Sequence, residues 1–139
     1  MTTVNAYVNY NGRCQEAMNF YKENLGGELN IMLVGDTPLK EMCPPAMANQ
    51  VAHSMLVKGS FVLMGTDMTP PEGYTKGNDI ALSVNCSSEE EINDFYNKLS
   101  AGGKIIDPMK QQFWGALFGV VADKFGIVWM LNFDKNMQQ

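Results

Sequence analysis

Histidine is nearly absent: the 139-residue chain has 1, His53. That scarcity rules out a metal centre built on several imidazoles and any acid–base pair of histidines. Cysteine is sparse as well. The three present, Cys14, Cys43 and Cys86, are an odd number, far apart and without a C-x-x-C pair, so neither a zinc site nor a dithiol redox motif is expected. Cys14 and Cys86 read as reduced thiols in ordinary positions; Cys43, in a Pro-flanked loop, is the one with a route to exposure and reactivity. Positive charge is thin, with 10 Lys and Arg against 15 Asp and Glu and a net charge of -5. The basic residues are scattered from Arg13 to Lys135, which argues against a nucleic-acid partner. No apolar run approaches the ~20 residues of a membrane span. The start, MTTVNAYVNY, lacks the basic and then apolar layout of a signal peptide. A cytoplasmic protein with no membrane partner is expected. There is also no Gly-rich strand-to-helix turn of the kind that holds a nucleotide cofactor.

What the chain does have is apolar content, 45% hydrophobic, enough for one substantial core and too short for two ordinary domains. It also repeats itself. AYVNYNGRCQEAMNFYKENLGGELN, from Ala6, overlays IALSVNCSSEEEINDFYNKLSAGGKII, from Ile80, so that Phe20-Tyr21 falls on Phe95-Tyr96 and Gly26-Gly27 nearly on Gly102-Gly103. Each copy reads as an extended stretch, a polar turn, an amphipathic helix, Gly-Gly and further extended stretches. Ile92, Phe95, Tyr96 and Leu99 recur at helical spacing, and Ser88 with Glu91 reads as a capping box. Cys14, Ala17, Met18, Tyr21 and Leu25 make the corresponding stripe in the first copy, and Gly-Gly ends each helix because glycine takes left-handed backbone readily. Ala52 to Val57 and Phe61 to Thr66 read as one hairpin, and Trp114 to Val121 with Ile127 to Phe133 as another; Leu29 to Val34 and Lys104 to Ile105 are short leading strands. The expectation is a single α+β domain, residues 1–139, of two βαβββ modules, about 4–66 and 79–133, with curled mixed sheets. A Pro-rich linker, DMTPPEGYTKGN, joins them, and a second Pro-rich stretch, DTPLKEMCPPAMANQ, lies inside the first module.

In this arrangement, and in the motifs NGRCQEAMNFYKENLGGEL, VAHSMLVKGSFVLMGTD and FWGALFGVVADKFGIVWMLN, the chain resembles the PhnB-like group of the vicinal oxygen chelate superfamily, the glyoxalase and bleomycin-resistance fold. The resemblance covers nearly the whole chain. It implies that each module's sheet curls into a half-barrel around a ligand cleft, and that the protein is a homodimer whose modules pair within one chain or across two. In metal-dependent relatives four strands each supply a ligand, usually His or Glu. The corresponding positions here fall on Ala6, Asp79, Met64 (or its neighbour Leu63) and Met130, so the resemblance implies that the usual metal is lost and that there is no cofactor. One carboxylate and thioethers do not make the nitrogen and oxygen site that zinc, nickel or iron needs. His53 reads either as a strand residue bonded to a loop or as a polar anchor or general base at the cleft.

QQFWGALFGVV is apolar on both faces if extended, which calls for a helix on one side and a second neighbour on the other: ligand, partner subunit or core. Gly115 and Gly119 within it suggest a bulge or a close approach. Trp114 suits either core packing or contact with a ligand, its N–H needing a partner. Methionine, 11 in all, sits on strands at Met32, Met55, Met64 and Met130, where flexible thioethers serve as core filler or as adaptable walls.

Three readings of function follow. The leading one is a metal-independent, homodimeric small-molecule binding protein with a mainly apolar cleft, sequestering an unknown small-molecule ligand. Its site would use Trp114, Phe113, Gly115, Trp129, Met64 and Met130, with His53 and Asp79 as polar anchors. The second is a metal-free lyase or isomerase with His53 or Asp79 as base; the methyltransferase label carried by some PhnB-like proteins finds no cofactor motif here. The third is a ligand-free structural or interaction subunit whose cleft is filled by side chains or by the partner module. No basic cluster or phosphate-cradling loop supports a link to phosphonates.

Overall fold

The structure, a computed structural model, describes residues 2–135. It falls into two units with the boundary between Lys76 and Gly77, each in the order strand, helix, strand, strand, strand.

The first contains β1 (Ala6–Asn9), α1 (Cys14–Leu25), β2 (Glu28–Leu33), β3 (Val51–Lys58) and β4 (Phe61–Thr66). Its sheet is ordered β1-β4-β3-β2, with β1 parallel to β4 and the other pairs antiparallel. α1 buries the apolar stripe expected of it, Cys14, Ala17, Met18, Tyr21 and Leu25. Its N-terminus has no capping side chain of its own, since Arg13 occupies that place. The buried carboxylate of Asp67, just past β4, substitutes: Oδ1 accepts from the backbone N–H groups of Gly12 at 2.8 Å and Cys14 at 2.9 Å, and Oδ2 from Val51 at 2.9 Å. One side chain thus ties the helix start to both ends of the β3–β4 hairpin. Gly26, at φ +86°, ends the helix and donates its N–H to the Lys22 carbonyl.

Side chains alternate across a sheet, so the register fixes two faces. Leu56 and Leu63 are paired and buried, and Ser54 brings its Oγ to 3.4 Å from Cys14 Sγ; this face packs on α1. Burial of each leucine contributes roughly 1.5–3 kcal/mol. Gly65 lets the helix lie close, because a Cβ there would stand 2.8 Å from Tyr10 Cε2 and 3.1 Å from Cys14 Sγ. The opposite face carries Tyr7, Met32, His53, Met55 and Met64 and has no helix of this module against it. The Pro-rich stretch between β2 and β3 winds through short 3-10 turns at Val34–Asp36, Pro38–Glu41 and Pro45–Met47.

The second unit contains β5 (Leu82–Asn85), α2 (Glu89–Ser100), β6 (Lys104–Gln111), β7 (Leu117–Ala122) and β8 (Val128–Phe133), with its sheet ordered β5-β8-β7-β6. α2 is capped locally: Ser88 Oγ accepts from the Glu91 N–H at 3.0 Å. The return bond of the box is shifted by one residue, Glu91 Oε1 accepting from the N–H of Ser87 at 2.8 Å. Ile92, Phe95 and Leu99 face β7 and β8, where Trp129, Leu131 and Val121 are buried.

Two expectations need correction. The leading strand is longer than Lys104 to Ile105 and runs to Gln111; being at the sheet edge, β6 tolerates Pro108 and two register shifts. The partner strand does not start at Trp114 but at Leu117. Gln112 to Gly115 instead form the β6–β7 turn, in which Gly115 at φ +96° donates to the Gln112 carbonyl at 2.9 Å. Gly119 does mark a close approach, since a Cβ there would lie 3.1 Å from Met109 Cα. Among the described residues no helix is long and apolar enough to cross a membrane.

Candidate functional site

The open face of the first module's sheet brings two of the candidate side chains, His53 and Met64, together with Tyr7, Met32 and Met55. Tyr7 pairs with Met64, Met64 with Met55, and His53 with Met32; residues 53 and 55 project to the same side of β3. The Tyr7 hydroxyl lies 3.1 Å from His53 Nδ1, and the rings are 5.6 Å apart. Tyr7 is 52% and Met32 50% exposed although both sit within regular strands. Apolar bodies left open to solvent around one polar pair can hold a partly apolar molecule and orient one hydrogen-bonding group on it.

The partner of His53 is therefore a strand residue, not a loop. Tyr7 was missed in the sequence because the resemblance put Ala6 at the site. Ala6 pairs with buried Leu63, on the helix face, and Tyr7 is the residue that emerges on the open side. Met32 and Met55 were visible as strand methionines, but only the register shows them beside His53.

The remaining candidates lie in the second unit. Phe113 and Trp114 are on the exposed β6–β7 turn, stacked edge-to-face at 4.8 Å, with Trp114 also 6.2 Å from Phe118. Phe113 is 96% exposed and contributes nothing to the core. Beside Gly115 an open depression of about 210 Å³ is lined by Glu89, Gln111, Leu117, Phe133 and Lys135. Met130 is exposed on the sheet face away from α2 and pairs with Ser83. Asp79 is an exposed loop residue ahead of β5. Trp129 is a core residue, 1% exposed, whose indole N–H donates to Asp123 Oδ2 at 2.8 Å. A ligand-contacting role for Trp129 does not fit that position.

The family's metal positions can be tested against these placements. Ala6 and Leu63 face the helix side, Asp79 stands in a loop, and Met64 and Met130 carry thioethers. Among the described residues no group of three or more His, Cys, Asp or Glu side chains comes together. The donor set does not fit a nitrogen and oxygen metal centre. The buried thiols are inert by environment: burial pushes Cys14 up to about 12, with the Asp67 charge adding and the Ser54 hydrogen bond opposing. Burial and then the Glu91 charge raise Cys86 to about 12.

Two four-stranded mixed sheets, neither closed into a barrel, each backed by one helix and joined in tandem, define the glyoxalase and bleomycin-resistance class of fold. A family model described as the Glyoxalase/Bleomycin resistance protein/Dioxygenase superfamily matches residues 3–131, and the chain belongs to that superfamily. Protein YjdN of Escherichia coli strain K12 is 32% identical over 136 residues, covering 91% of each chain. The crystal structure of protein PA1353 from Pseudomonas aeruginosa is 34% identical, covers 96% of this chain and 98% of that one, and superposes with a TM-score of 0.86. A PhnB protein from Bacillus cereus, provisionally named a 3-demethylubiquinone-9 3-methyltransferase, shares the fold at 24% identity, TM-score 0.72 and coverage of 95% and 99%.

Proposed function

We propose that the protein binds a small, largely apolar molecule on the open face of the first module's sheet, without the metal centre of its metal-dependent relatives, and that it does so as a homodimer. The observation that carries this reading is the Tyr7–His53 hydrogen bond set among exposed Tyr7 and Met32 and the neighbouring Met55 and Met64. Leaving such side chains in water on a regular strand forgoes burial worth roughly 25 cal/mol per Å². A ligand or a second copy of the chain recovers it, and methionine adapts its shape to either. Phe113 and Trp114 offer a second exposed apolar group, suited to a dimer contact or to the ligand.

Native mass spectrometry of the protein as purified tests both parts. The expected result is a dimer that keeps a small organic mass, lost in the double variant Tyr7→Ala, Met55→Ala while the fold survives. A monomer, or a dimer that carries no added mass and binds none from a fragment library, would refute the reading.

A metal-free proton-transfer enzyme is the second reading, favoured by one observation: His53 has a hydrogen-bond partner that orients its ring. Turnover lost in His53→Gln and retained in Met64→Leu would select it.

A further inference from the structure

The side chains around His53 are the donors that soft metal ions prefer. Met32 stands directly opposite His53 across the β2–β3 pair. Met55 is its neighbour two residues along the same strand and the same face, and Met64 is opposite Met55 on β4. Opposed side chains on a sheet have Cβ atoms about 4.5–5.5 Å apart, and same-face neighbours along a strand are about 7 Å apart. Those separations are within reach of flexible thioethers and an imidazole converging on one point above the sheet. Met32 and Tyr7 are half exposed and His53, Met55 and Met64 partly so, which leaves an ion a route in from solvent.

The hydrogen bond at His53 completes the arrangement. Nδ1 is engaged by the Tyr7 hydroxyl at 3.1 Å, and Tyr7 is the one hydrogen-bond partner of His53 among the described residues. With Nδ1–H donating to the Tyr7 oxygen, the lone pair lies on Nε2. A ligating histidine is commonly held in this way, its other ring nitrogen fixed by an outer oxygen. Thr66, the β4 residue flanking His53 in the same row, offers no competing donor, because its hydroxyl is committed to the Ala52 carbonyl at 2.9 Å.

We infer that this block is a binding site for a soft monovalent cation, Cu(I) or its redox-silent analogue Ag(I), held by His53 Nε2 and the sulfurs of Met32 and Met55, with Met64 as the adjacent fourth donor. Thioether sulfur selects Cu(I) over the harder divalent ions, and imidazole accepts it. The site differs in metal class from the nitrogen and oxygen centre of the superfamily's metal enzymes and shares only the Met64 position with it; its other donors, His53, Met32 and Met55, lie elsewhere on the sheet. It goes beyond the organic-ligand reading and does not depend on it.

The test is titration of the full-length protein with Ag(I), and with Cu(I) under anaerobic reducing conditions against a competing bathocuproine chelator, alongside methyl NMR of labelled methionines. One equivalent is expected to bind, shifting the Met32 and Met55 methyl signals. The double variant Met32→Leu, Met55→Leu, which conserves volume, is expected to weaken binding on the order of 100-fold, and Tyr7→Phe by about 10-fold or more. Met42→Leu, at an exposed methionine outside the block, serves as a control and leaves affinity unchanged. Failure to draw Cu(I) from the chelator overturns the inference. So does binding that survives the double variant or disappears in Cys43→Ala. If Cu(I) fails while an organic mass is still retained, this inference falls and the organic-ligand reading stands.

Discussion

Trp129 and Asp123 form a buried pair: the indole N–H donates to the carboxylate at 2.8 Å, and the two residues are 1% and 2% exposed. The other oxygen of Asp123 accepts from the N–H groups of Phe125 at 2.9 Å and Ile127 at 3.1 Å, so the same side chain shapes the β7–β8 turn and anchors the core tryptophan. Asp123→Ala strips these donors of an acceptor, at roughly 1–3 kcal/mol for each buried one. Thermal or urea unfolding is expected to show a loss of about 3 kcal/mol or more. A loss under 1 kcal/mol would mean that water replaces the carboxylate.

The two tryptophans are expected to report separately. Trp129 is enclosed, while Trp114 is 48% exposed on a turn. Acrylamide quenching of the native protein should resolve one accessible and one shielded emitter, and Trp114→Phe should abolish the accessible one with little change in stability, within about 0.5 kcal/mol. If Trp114 is shielded in the wild-type protein in solution, something covers the turn, and dilution or ligand removal will expose it.

Stability at alkaline pH follows from the buried thiols. Cys14 and Cys86 are raised from 9.0 to about 12 in the folded chain, burial being the main cause. Above the ordinary value the unfolded chain loses these protons and the folded chain keeps them. Their contribution is therefore whole below about pH 9 and declines as pH rises towards 12, by up to about 1.4 kcal/mol per pH unit for each thiol. Cys14→Ala and Cys86→Ala are expected to unfold with shallower pH dependence than the parent over that window, whatever their stability at pH 7. Parallel curves would show that the thiols ionise as readily in the folded chain as in the unfolded one, and that burial does not raise them.

Gly65 is the point at which α1 approaches β4. Adding one methyl group in Gly65→Ala presses on Tyr10, Cys14 and Met18, whose nearest atoms are 2.8, 3.1 and 3.2 Å from the new Cβ. An overpacking cost of about 1–3 kcal/mol is expected in denaturant unfolding. Gly59→Ala tests a different cost, since its Cβ would meet nothing within 4 Å but the backbone is at φ +58°.

Much of this architecture was legible because it is written in local periodicity. The stripes at Cys14 to Leu25 and Ile92 to Leu99 become helices, and the hairpin across Lys58-Gly59-Ser60 forms between β3 and β4. The aromatic run misled for a physical reason: its alternating apolar residues imitate a strand, whereas the positive φ of Gly115 bends the chain into a turn. Trp129 was ambiguous because both faces of its strand are apolar, so period alone could not choose the side. The site itself was the least visible. Tyr7 and His53 are 46 residues apart, and their meeting depends on a parallel pairing between β1 and β4 that no local pattern encodes.

The two helices start by different means, and this bears on the order in which the chain assembles. α2 takes its cap from Ser88, three residues before the N–H it binds, whereas α1 waits for Asp67, 53 residues beyond Cys14. Closing so long a loop carries an entropic cost that a local turn does not. The C-terminal half can nucleate on its own helix, while the N-terminal helix is consolidated only once its hairpin has come home. Kinetic analysis of Ser88→Ala and Asp67→Asn is expected to place the first substitution's effect largely on the folding rate and the second's largely on unfolding.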